Sequence, residues 1–205
     1  MDRRQTIPKK IRYLLEYLLF RCLLFAIQNL TEKTIFRQGK FLGAVIYHCS
    51  PKRRKIARIN LDIAFGDSKS PEEKKRITKQ SIIYMVIHAM QCLWVTRNTE
   101  ERVHRLFPIE PEKLEYLHEI LKRNKGVFFL MAHYGNWEVL GIYLGYSKYC
   151  KLCSIARKFD NPYLENFIMR LRTISGSRIF HKDESPIKMV RAVKQNSCVA
   201  VMLAF

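Results

Sequence analysis

In the stretch AHYGNWE (132–138), His133 is followed five residues later by Glu138. A neutral imidazole held by a carboxylate is a general base for an O–H proton. The carboxylate selects the tautomer and stabilises the imidazolium as it forms. No serine or cysteine nucleophile stands beside His133, which favours direct attack by a substrate hydroxyl over a covalent intermediate. Five residues along a continuous helix place side chains about 140° apart. The pair can therefore meet only if His133 precedes a helix and Glu138 lies in its first turns. Gly135 permits the bend, and Asn136 is a good N-cap for the helix that follows. Spacing alone leaves a second reading open, a turn histidine next to a surface carboxylate. A metal site is the poorer reading, because an H-E-x-x-H helix and a third ligand are lacking.

The elements around this pair must hold it. The apolar run VFFLMA (127–132) reads as a short strand buried on both faces, with His133 at its carboxyl end, where open α/β sheets place their sites. Beyond it, a helix from about Asn136 to Leu144 precedes a strand-like YCKLCSIA (149–156). Asn161-Pro162 then opens a helix to about Thr173. A strand at 178–180, a helix over 186–194 and a strand at 198–203 complete the series. Buried strands alternating with helices of this length predict an α/β sheet with crossovers. Upstream, the first hundred residues read as helices. Ser70-Pro71-Glu72-Glu73 forms a capping box with proline at the first helical position of a helix reaching about Val95. A single domain is expected, with residues 1–32 as a membrane-associating helix, 33–106 helical, and 107–205 the α/β core.

The chain carries 37 Lys plus Arg against 18 Asp plus Glu, a formal charge of +19, which calls for an anionic partner. A nucleic-acid binder would interleave aromatics with its basic clusters, and PKRRKIAR (51–58) does not. Six cysteines occur, most of them inside apolar runs. Cys150 and Cys153 form a lone C-x-x-C away from any helix start, so they read as small core residues of a reduced protein. The segment IRYLLEYLLFRCLLFAIQNL (11–30) carries Arg12, Glu16 and Arg21, which suits a spanning helix poorly. It fits either a helix set shallowly in an anionic leaflet or a buried helix with snorkelling arginines.

GVFFLMAHYGNWEVLG (126–141) resembles the catalytic H-x-x-x-x-E block of bacterial lipid A biosynthesis acyltransferases, the late lauroyl- or myristoyl-transferring enzymes. ARINLDIAFGD (57–67), ARKFDNPYLENFIMRLRTISG (156–176) and KMVRAVKQNSCVAVML (188–203) resemble further blocks of that family, so the likeness runs from about residue 10 to 203. The resemblance implies an acyltransferase sheet of the glycerol-phosphate acyltransferase type with the N-terminal helices packed on it. It implies His133 as general base with Glu138 supporting it, and Arg170, or else Arg157, on phosphate or the developing oxyanion. No metal or cofactor is implied. The implied donor is acyl carrier protein, and the acceptor a hydroxyl of a lipid A precursor at the cytoplasmic face of the bacterial inner membrane. Another glycolipid or phospholipid acceptor, or an inactive membrane-associated remnant, is the alternative. The family commonly continues past its last strand with an aspartate, whereas VAVMLAF stops at Phe205. The expectation is a chain lacking its C-terminal part.

Overall fold

A computed structural model describes residues 6–203 apart from 124, 148–150, 182 and 185. The chain divides into two compact units, residues 26–94 and the remainder.

The smaller unit is helical. It holds the end of α1 (Thr6–Gln28), then α2 (Glu32–Cys49), α3 (Pro51–Phe65) and α4 (Pro71–Trp94). Local chemistry sets the helix starts. Thr31 caps α2 by accepting from the Thr34 N–H. The capping box of α4 closes in both directions, Ser70 N–H donating to Glu73 Oε2 at 2.9 Å and Glu73 N–H to Ser70 Oγ at 3.2 Å. Helices α2 and α4 lie so close that a methyl group on Gly39 or Gly43 would sit 2.7 Å from Ile87 Cγ1 or 2.6 Å from Ile83 Cα. Ile35, Tyr47, Ile82, Ile87 and Met90 form the buried seam, and Trp94 Nε1 donates to the Leu30 carbonyl at 2.8 Å.

The larger unit is an α/β sheet, as expected, built from α5 (Thr99–Leu106), α6 (Pro111–Leu121), β1 (Val127–Ala132), α7 (Trp137–Tyr146), β2 (Lys151–Ala156), α8 (Pro162–Thr173), β3 (Arg178–His181), α9 (Pro186–Lys194) and β4 (Ser197–Leu203). All pairings are parallel, in the order β1-β4-β2-β3, so the last strand enters between the first and second. Helix α9 covers one face, where Ala192 packs with Cys153, Phe180 and Val199. Buried Cys153 fits its reading as a core residue; Cys150 lies outside the described residues.

Strand β1 corrects an expectation. It is not buried on both faces: accessibility alternates along it, and Phe128 and Leu130 remain 51% and 69% exposed. The register explains this. Phe128 and Leu130 pair with Val199 and Val201 of β4, on the α9 face, but β1 is an edge strand among the described residues and that helix does not cover it.

Residues 6–25 of α1 belong to this unit, as does α5. Tyr17 stacks on Tyr163 of α8 at 5.5 Å, and Phe20 meets Phe167 edge-on at 5.0 Å. Buried Asn161 caps α8 by accepting from the Tyr163 N–H, and its Nδ2 donates to the Tyr13 carbonyl and to Glu16 Oε2. The other side of α1 is open, with Leu14, Leu15, Leu18, Leu19 and Leu23 between 44% and 73% exposed. Among the described residues no helix is long and apolar enough to cross a membrane.

Candidate active site

A cavity of about 340 Å3 opens at the carboxyl ends of the strands. Met131 of β1, Ile155 and Ala156 of β2 and Met202 of β4 line it, with Ile142 and Leu144 of α7 opposite. His133, Trp137, Glu138, Arg157 and Arg172 supply its polar rim. Most of the lining is apolar, with Ser154 and Ser177 as further polar residues, a construction that suits a largely hydrocarbon ligand with a few polar groups to orient it.

The turn that carries His133 is built as the spacing demanded. β1 ends at Ala132, whose carbonyl accepts from the Tyr134 N–H at 2.8 Å. Gly135 has φ of 63°, the left-handed region that favours glycine. Asn136 then caps α7, its side chain accepting from the Val139 N–H. His133 is thus outside the helix and Glu138 is the second residue within it, so both reach one cavity. Trp137 meets the imidazole edge-to-face at 5.1 Å and limits where the ring can turn.

Glu138 is held from the opposite side. Arg172, in the last turn of α8, donates Nε to Glu138 Oε2 at 2.9 Å and Nη2 to Oε1, a two-pronged pairing of guanidinium and carboxylate. Both ends sit favourably, a carboxylate at the start of α7 and a cation at the end of α8. The side chains are 35% and 19% exposed, so the pair is only partly solvated. A carboxylate has about four acceptor positions, and the arginine fork leaves capacity for an imidazole N–H.

The arginines divide. Arg157, just past β2, lines the cavity and is exposed; Arg170 is exposed on α8 and does not line it. Sequence reasoning passed over Arg172, although a signal for it exists. Leu164, Ile168 and Leu171 mark the inward face of α8 at helical spacing, and Arg172 continues that row four residues after Ile168. Arg170, two residues after Ile168, points about 200° away from it. The dipeptide step between two arginines in MRLR hid a change of face.

No curated protein matches the sequence. The family described as bacterial lipid A biosynthesis acyltransferase matches residues 4–204, nearly the whole chain, and the chain belongs to that family.

Proposed function

We propose that the cavity is the acyl-transfer site and that His133 is its general base. In this reading His133 removes the proton from an acceptor hydroxyl as that oxygen attacks an acyl thioester. The carbonyl oxygen becomes an oxyanion, the tetrahedral intermediate collapses, and the thiol of the donor leaves with the proton. Glu138 favours the imidazolium that forms, and Arg172 holds Glu138 in place. Arg157, the exposed arginine at the rim, takes the phosphate or the oxyanion; a fork of N–H donors suits either. The donor is acyl carrier protein and the acceptor a lipid A precursor.

One observation carries the reading. A histidine stands at the carboxyl end of a parallel strand, one glycine-dependent turn before a helix whose carboxylate is held at the same cavity by an arginine fork. Family membership supports acyl transfer in lipid A biosynthesis, and the apolar walls suit a fatty acyl chain. An anionic membrane at the cytoplasmic face of the inner membrane is the proposed location. The exposed leucines of α1, with Lys9, Lys10 and Arg12 beside them, are the composition of a helix lying in such an interface.

The test is His133→Ala, with acyl transfer followed by mass spectrometry of the lipid product and folding by circular dichroism. Loss of transfer of about 100-fold or more with an unchanged spectrum is expected. Full transfer in that variant would remove His133 from the chemistry.

A further inference from the structure

Helix α3 has two unlike sides. Arg54, Ala57 and Leu61 are its partly buried positions, and Arg54 lies over the Tyr47 ring at 5.1 Å. These three fall within about 60° of the helix circumference. On the opposite side Ile56, Ile59 and Ile63 fall within another span of about 60°. They are 52%, 47% and 79% exposed. No side chain of α3 is fully buried. Lys52, Arg53 and Lys55 all lie within about 100° of this isoleucine row, towards the helix start.

The only carboxylate in α3, Asp62, is already neutralised. Lys74 of α4 donates to Asp62 Oδ1 at 2.7 Å and to the Gly66 carbonyl at 2.7 Å, and Arg58 stands 3.9 Å from the other oxygen. This lysine pins the end of α3 to α4, so the isoleucine side keeps its orientation within the helical unit. The outward face of α3 is therefore apolar along its centre and cationic at its flank.

We infer that this face of α3 binds the surface of an anionic bilayer, with Ile56, Ile59 and Ile63 below the headgroups and Lys52, Arg53 and Lys55 among them. The pattern selects the occupant. Duplex nucleic acid would satisfy the cations but gain little from three isoleucines in a row, whereas a lipid surface uses both; an acidic protein is the competing occupant, and vesicle partitioning separates the two. The surface is distinct from the cavity, and the inference holds whether or not His133 transfers an acyl group.

The full chain is mixed with vesicles of phosphatidylcholine alone or with about a third phosphatidylglycerol, and partitioning is read by sedimentation. Replacing Lys52, Arg53 and Lys55 together by glutamine is expected to weaken partitioning to the anionic vesicles about 100-fold, at about fivefold per charge, and to leave neutral vesicles unaffected. Ile63→Asp is expected to weaken partitioning to both by roughly tenfold. In a third variant, Ile63→Trp, emission is expected to be quenched by brominated lipid more than that of the parent chain with its two tryptophans. These positions are exposed, and circular dichroism checks that each variant folds. Unchanged partitioning of the first two variants, or no added quenching in the third, overturns the inference. So does loss of binding to an acidic carrier protein or to duplex DNA while vesicle partitioning stays as in the parent.

Discussion

Removing the Arg172 fork tests whether Glu138 is positioned as described. The two hydrogen bonds between Arg172 and Glu138 are charge-assisted, and such bonds contribute about 1.5–3 kcal/mol when desolvated. Ion pairs in full solvent contribute about 0.2–1 kcal/mol. With the side chains 19% and 35% exposed, this pair falls between those limits, and a coupling of about 2 kcal/mol is expected. The assay is a double-mutant cycle of Arg172→Met, Glu138→Gln and the double variant, read by thermal unfolding. For a chain of this size about 2 kcal/mol corresponds to about 4–8 °C, and the double variant should lose less than the sum of the single ones. With His133 as the proposed base and Glu138 supporting it, transfer should fall about 100-fold in Arg172→Met, because the carboxylate is released from its fork. Arg170→Met is the internal control. Its side chain is exposed outside the cavity, so it should change stability by less than about 0.5 kcal/mol and leave transfer intact. A coupling below about 0.3 kcal/mol, or Arg170→Met losing as much transfer as Arg172→Met, would refute the reasoning.

Other single sites give further outcomes. Gly126→Ala should destabilise by more than about 3 kcal/mol in urea unfolding, since φ is 61° and the added methyl would sit 2.2 Å from the Val193 carbonyl oxygen. Gly135→Ala meets open space but carries the same left-handed φ, so it should cost only about 1–2 kcal/mol while disturbing transfer more than stability. Asn161→Ala removes the α8 cap and the bonds to Tyr13 and Glu16, and should cost about 2–3 kcal/mol. Glu184 is held down at about 2 from its ordinary 4.5 by the hydrogen bond from Lys188 and by the His181 N–H. A depressed carboxylate stabilises the fold fully above about pH 4.5, and that contribution fades as pH falls towards about 2. The difference in thermal midpoint between the parent and Glu184→Gln should therefore be constant above about pH 5 and should close on acidification.

Local chemistry was legible in the chain because it acts over a few residues. The capping box at Ser70, the Asn161-Pro162 start of α8 and the bend at Gly135 each depend on neighbours within about one turn, and the elements fall where those signals put them. Alternation of short apolar runs with helices was enough for a parallel α/β sheet, since parallel strands need helical crossovers. Spacing said only that His133 and Glu138 could meet if the first preceded a helix and the second began it; the family resemblance singled the pair out, and the tertiary structure puts both at one cavity. Strand order depends on long-range pairing, and nothing local to β4 states that it enters between β1 and β2. Among the described residues, that insertion leaves β1 at an edge with Phe128 and Leu130 exposed, which an apolar run cannot reveal by itself. The partner of Glu138 was likewise a tertiary matter. Arg170 and Arg172 are equivalent as residue types, and the packing of α8 against α7 brings the second of them, 34 residues away in the chain, onto the carboxylate.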